Sequence, residues 1–361
     1  MNSTPQKDYG TMTSSSEHAG RHWSDSEPIN DPPTTFADLG VTREAATVQT
    51  FFGKRRPLSS LTHKEWAFAV ISILSILGAA GLTIERIVFY VEKITSDVTF
   101  AIVLLLTLGF CLLYVLNGLF GERPYELLIF IIGTVILMIY SISNYMQTVS
   151  GLTPYEKKIK MARLILIAAA GPVNIILGAI IAREYYISRN LIFRTVGANI
   201  DLQNLCSKIF FTESLFKIDL QLELSLVILV LKEGFNDVGA LDIIVLAAGT
   251  LYALVWFLTG LFAMRLENSV MMYLLWIFSI FEPAYIVYKI VDLGMNWSQP
   301  NYYQNIRAAI IIGGACGLFI RCSLIGCTIY VFRNFGKGMK EKAYGEFTSK
   351  TDEAHSRTVE T

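Results

Sequence analysis

From Trp66 to Phe332 the chain is a succession of apolar runs divided by short polar connections, and each run is close to the length of one bilayer crossing. A helix needs about 20 mostly apolar residues to cross the ~30 Å hydrocarbon layer. Inside that layer no water is present to satisfy backbone N–H and C=O groups, so a spanning run of this kind must be helical. The expected fold is therefore all-α: a polytopic transmembrane helix bundle. Composition agrees, with 53% hydrophobic residues and only 17% charged, against about 25% charged in an ordinary soluble domain.

The pattern divides the chain into a polar tail over 1–65, a transmembrane domain over 66–332 and a second polar tail over 333–361. Within the domain it predicts eight spans, at about 66–91, 99–119, 126–146, 162–182, 209–231, 241–264, 270–291 and 308–332. The first tail is rich in Ser, Thr, Pro and Asp, as in Ser14-Ser15-Ser16 and Pro32-Pro33, and the second is similarly polar. Such segments bury too little apolar area to offset their ordering entropy, so they are expected to be disordered. The first 65 residues lack the apolar core of a signal peptide, which leaves the first span to act as the targeting signal.

The fifth span is the exception, because Glu213, Lys217, Asp219 and Glu223 all fall within it. The positive-inside rule supports keeping it. With eight spans and a cytoplasmic N-terminus, the inner side holds Lys54, Arg55, Arg56, Lys64, Arg123, Arg183, Arg189, Arg194, Lys208, Arg265, Arg333, Lys337, Lys340, Lys342 and Lys350. The outer side holds Lys93, Lys157, Lys158, Lys160, Lys232 and Arg307. Seven spans would put one basic tail on the wrong side. The sequon Asn296-Trp297-Ser298 then falls outside, where glycosylation occurs. Both termini are expected in the cytoplasm, with their basic clusters beside the lipid bilayer.

Charges at mid-span carry the functional signal. Glu282 in span seven and Arg321 in span eight lie at similar depth, and a lone charge there costs at least ~2.5–3.5 kcal/mol. Pairing the two offsets part of that cost. Gly314, Gly317 and Arg321 share one face of their helix, and Gly313 with Gly317 forms a G-x-x-x-G that admits a close neighbour. Ser279, Glu282, Tyr285 and Lys289 form a polar stripe on span seven. Pro283 cannot donate to the carbonyl of Ser279, so a bare carbonyl is expected one turn from Glu282. Gly171-Pro172 in span four is a second expected break. On span five, Lys217 and Gln221 share one face while Asp219 and Glu223 share another, so that helix must be surrounded by protein or line a wet cavity. Among Lys217, Asp219, Glu223, Glu282 and Arg321, one acid is left over. It must keep a proton or hold a cation.

Other functions are excluded by what is missing. Net charge is zero, which gives no basic field for nucleic acid. The four histidines lie outside the spans, and the five cysteines have neither zinc-site nor disulfide-framework spacing. No H-E-x-x-H, G-x-S-x-G or G-x-x-x-x-G-K is present. Neither an enzyme nor a cofactor is expected. The sequence points to a carrier or channel-like protein in which Glu282 and the Ser279 carbonyl bind a small cation or proton. Arg321 is then the counter-charge, Asp219 and Glu223 form a second acidic site, and Lys217 is a further candidate on the same helix. The alternative is a membrane scaffold or receptor-like protein whose intramembrane charges fix helix register and whose tails recruit cytoplasmic partners.

Overall fold

The computed structural model describes residues 48–50, 53–90, 96–148, 154–229, 240–295, 307–340 and 342. A small antiparallel hairpin, β1 (Val48–Thr50) and β2 (Gly53–Arg55), precedes a single 3-10 turn at Leu58–Ser60. Ten helices follow: α1 (His63–Tyr90), α2 (Ser96–Phe120), α3 (Pro124–Thr148), α4 (Pro154–Ser188), α5 (Asn190–Val196), α6 (Ile200–Ile228), α7 (Ala240–Arg265), α8 (Ser269–Phe278), α9 (Phe281–Met295) and α10 (Arg307–Phe332).

They pack as two four-membered units of like connectivity. In the first, α1 packs on α2 and α4, and α3 on α2 and α4. In the second, α6 packs on α7 and α10, α7 on α8, and α9 on α10, so the broken pair α8–α9 stands where α3 stands. The turn after the second helix is alike in both. The tripeptide Gly-Leu-Phe closes α2 at Gly118-Leu119-Phe120 and stands three residues before the end of α7 at Gly260-Leu261-Phe262. Each turn then passes through a glutamate with positive φ, Glu122 at 42° and Glu267 at 50°. Both glutamates accept backbone N–H groups from the chain just beyond the fourth helix. Glu122 accepts from Leu191 (3.0 Å), and Glu267 from Gly336 (2.7 Å) and Lys340 (3.1 Å).

Large apolar residues point outward along most helices, as with Leu74, Leu77, Ile84 and Val88 of α1, Ile132, Val135, Ile136 and Ile139 of α3, and Leu251, Leu254, Val255 and Leu258 of α7. In water such faces would drive aggregation. In lipid they are the solvent-matched exterior. Among the described residues, six helical stretches are long and apolar enough to cross a membrane: His63–Glu85, Ala101–Phe120, Lys157–Val196, Leu246–Arg265, Ser269–Met295 and Ile310–Phe332. The protein is embedded in a membrane. The third helix offers a shorter apolar stretch, Pro124–Ile139, and α6 falls outside the six because of its charges.

The helix α6 is the central post. From Ile209 to Leu229 none of its residues is exposed, and it touches α2, α3, α5, α7 and α10. A helix surrounded by protein needs no apolar exterior, which is why polarity on two faces is tolerated. Its start lies nine residues before the expected 209, capped by the Asn199 side chain on the Leu202 N–H (3.2 Å).

Three sequence expectations are modified. Span seven is two helices, broken at Ser279–Ile280, immediately before the helix that contains Pro283. By contrast α4 runs unbroken through Pro172, and its Asn174 accepts from Ser72 Oγ (3.0 Å) and donates to Ser75 Oγ (3.1 Å). The boundary at 65 also moves. Arg56 is buried against Glu65 (2.5 Å) and Glu122 (3.2 Å) and donates to the Tyr185 hydroxyl (3.2 Å), so these tail residues belong to the folded body. Burial alone would lower the Arg56 pKa, but Tyr185, Glu65 and Glu122 outweigh it and hold it above the ordinary arginine value. Residues 1–47 and 343–361, and the sequon at Asn296, lie outside the described residues.

Candidate functional site

The buried charges fall into two layers. One sits where α2 meets α3 and α7 meets α8. There Glu213 of α6 is held between Arg123 and Arg265, whose Nε lies 3.4 Å away. Glu126 pairs with Arg123 (3.3 Å) and with Lys217. Arg123 also lies over the Phe210 ring, 4.5 Å from its centroid. These pairs, with the Tyr114 hydroxyl donating to Gln221 (2.9 Å), join the first helical unit to the second. Lys217 thus belongs to the shallower layer, although the sequence counts it with the mid-membrane charges and separates it from Asp219 and Glu223 only by helix face. It is two residues from Asp219 but points to another side of α6, as a 100° step per residue dictates.

The second layer lies deeper, about three helical turns from the end of α10. Here Asp219 and Glu223 of α6 and Glu282 of α9 converge on Arg321 of α10. The Nη2 atom of Arg321 is 3.1 Å from Asp219 and in direct contact with Glu223 and Glu282. Asp219 is 0% exposed and Arg321 1%. The carboxylates lie within 4.8 Å of one another, with the geometry of a cation-binding group. The guanidinium sits among them as a tethered cation. Rather than two acidic sites, the three acids make one.

Helix spacing and two aromatic side chains build this centre. Asp219 and Glu223 are one turn apart on α6, so both reach the same neighbour. Gly317 lies one turn before Arg321, and a side chain there would meet Ile286 and Glu282 of α9. Trp256 of α7 stacks on the guanidinium, 3.6 Å from Arg321 Cζ to the ring centroid. Its indole N–H donates to the Leu275 carbonyl (3.3 Å), and its ring packs on Phe216 at 5.1 Å. Tyr252, one turn earlier, donates its hydroxyl to the Phe278 carbonyl (2.7 Å). The seventh helix therefore satisfies carbonyls at the end of α8, where the helix stops. Ser279, whose carbonyl is the expected ligand beside Glu282, is buried. Its side-chain oxygen has no hydrogen-bond partner among the described residues, and its N–H closes the last turn of α8 on Leu275.

A cavity of about 360 Å³ reaches the cluster from the side. It is lined by Glu223, Leu226 and Val227 of α6, Ala248, Gly249 and Tyr252 of α7, and Phe281, Glu282, Tyr285 and Ile286 of α9. The aromatic members Trp256 and Tyr252, and Arg123, Glu126 and Arg265 of the shallower layer, were not singled out as site residues from sequence, whereas Lys217 was, and Glu213 was noted among the charges of span five. Aromatic residues are common in apolar spans, and nothing in their spacing ties them to charges on other helices.

Chemically, the centre has three carboxyl groups for one guanidinium, all buried. Glu223 Oε2, Glu282 Oε1 and Asp219 Oδ1 have no hydrogen-bond partner among the described residues. Uncompensated carboxylates are costly at this depth, so protons or a second cation must balance the excess.

A family model described as "Domain of unknown function (DUF7789)" matches residues 52–183 and 196–330. The chain belongs to this family. The two matched segments correspond to the two four-membered helical units. No curated protein and no solved structure matches the chain.

Proposed function

We propose that the protein is a carrier or channel-like membrane protein that binds a small cation or proton at the Asp219–Glu223–Glu282–Arg321 centre. The convergence of three carboxyl groups on one buried guanidinium carries this reading. A pure structural ion pair needs one acid per base. Here the excess acid gives an incoming cation oxygen ligands, and Arg321 is the internal competitor that withdraws or returns as the site fills and empties. Proton and cation flux into proteoliposomes tests it. Glu282→Gln is expected to reduce flux at least tenfold, and equal flux from both proteins rejects the assignment.

The proposed topology has eight crossings, with α3 and α6 as members and both termini in the cytoplasm. The layer holding Arg123 and Arg265 and the ends of α4 and α10 then face inward, in line with the positive-inside rule. A cysteine placed at position 197 should label only from the cytoplasmic side.

One observation favours the second reading, a non-transporting scaffold with cytoplasmic partners at its tails. Arg321 is stacked on Trp256 as well as paired, which suits a fixed register device. In that case, replacing Glu223, Glu282 and Arg321 together with apolar residues would preserve folding and partner binding.

A further inference from the structure

We infer that the cavity beside Glu223 and Glu282 is a binding site for an amphipathic organic cation, an ammonium group carrying a short hydrocarbon tail, which enters from the lipid between α7 and α9. The inference deepens the proposed function, since it rests on the same carboxylates forming the cation site. Its walls name the ligand class. Leu226, Val227, Ala248, Gly249, Phe281 and Ile286 are hydrocarbon or aromatic, which suits a tail, while Tyr252 and Tyr285 offer ring faces that attract an ammonium. At one end, Glu223 and Glu282 are more than nine-tenths buried, and each keeps one oxygen without a hydrogen-bond partner among the described residues.

Size and donor set exclude the simpler occupants. At about 360 Å³ the space falls in the range of sites for small organic molecules rather than for a bare ion. A calcium ion takes six to eight oxygens, and the lining supplies two carboxylates and two phenols amid hydrocarbon. An anion would face the acids. An ammonium with an apolar tail satisfies both ends.

The entrance is lateral. Ala248 is exposed and Phe281 is 59% exposed, so the rim opens on the apolar outer face beside Leu251 and Ile280. The opening lies beside the break at Ser279–Ile280, where α8, which packs on α7, gives way to α9, which packs on α10. Tyr252 fixes that edge through the Phe278 carbonyl and an edge-on contact with Phe281 at 6.3 Å.

Equilibrium binding of radiolabelled hexyltrimethylammonium to the full chain in lipid nanodiscs tests the inference. One saturable site is expected, with tetramethylammonium (no tail) and hexyl sulfate (opposite charge) at least tenfold weaker competitors. Ala248→Phe, at the exposed rim, and Glu282→Gln, at the acidic end, should each weaken binding at least tenfold, while Ile136→Ala on the distant α3 leaves it unchanged. Thermal unfolding identifies any variant that does not fold, and the remaining one then decides. Absence of saturable binding, equal competition by hexyl sulfate, or wild-type binding by the folded variants overturns it. Flux without hexyltrimethylammonium binding sinks this inference alone. Binding without any flux sinks transport and leaves the site.

Discussion

At the residue scale, Arg321 and its three acids are unequal partners. Removing the guanidinium leaves every carboxylate of the cluster without a cation, whereas neutralising one acid leaves Arg321 paired with two others. Breaking a buried pair from the side that strands charge costs about 3–5 kcal/mol. Arg321→Leu is therefore expected to lose about that much stability. Glu282→Gln should lose no more than about 1–2 kcal/mol, since an amide can still accept from the guanidinium. Denaturant unfolding in micelles checks the order, and a Glu282→Gln variant as unstable as Arg321→Leu would contradict it. Flux in the same variants separates the two roles, because the stability ranking and the transport ranking run in opposite senses at Glu282.

At the scale of the element, the site depends on how closely α6 and α7 approach. A Cβ on Gly260 would fall 2.4 Å from the Phe216 ring, and Phe216 in turn backs Trp256 against Arg321. The chain of contacts Gly260, Phe216, Trp256, Arg321 makes a glycine two helical turns from the charges part of their support. Gly260→Ala should cost about 1–3 kcal/mol through overpacking and also lower ligand binding. By contrast, a side chain at Gly326 of α10 meets nothing within 4 Å. There the same change should stabilise by up to about 1 kcal/mol through helix propensity. Thermal melts of the two variants make the comparison. The break in span seven is an element-scale feature too. Pro283 forecasts a freed carbonyl, but only the neighbouring α7 shows where carbonyl groups at that end find donors.

At the scale of the whole molecule, the protein is two four-membered helical units that share a turn and diverge in their interiors. Both turns place a positive-φ glutamate under the chain that leaves the fourth helix. Inside, the first unit holds the neutral Ser72–Asn174–Ser75 group beside a cavity of about 50 Å³, and the second holds the charged centre beside the larger cavity. Arg163 also lines the smaller cavity, and in the proposed function the chemistry belongs to the second unit. Their interface is ionic as well as apolar, through Arg123–Glu213, Lys217–Glu126 and Tyr114–Gln221. Co-expressed fragments cut between residues 197 and 198 are expected to co-purify. Glu213→Ala, which strands two arginines, should reduce recovery of the complex several-fold. Fragments that never associate would show that the units do not fold as the packing implies.

The sequence by itself determined that this is a helical membrane protein, because long apolar runs have one affordable conformation in lipid. It also determined that Glu282 and Arg321 need a partner, because their depth follows from counting residues along a helix. Local periodicity fixed which residues share a face, so Asp219 and Glu223 were expected together, apart from Lys217. Only the tertiary structure decided which faces meet. Assigning Lys217 to Glu126 rather than to the deeper acids, stacking Trp256 on Arg321, merging two acidic groups into one and opening a cavity at a helix break all depend on the rotation and separation of helices far apart in sequence. Those quantities are set by packing between side chains on different elements, and no short stretch of chain encodes them.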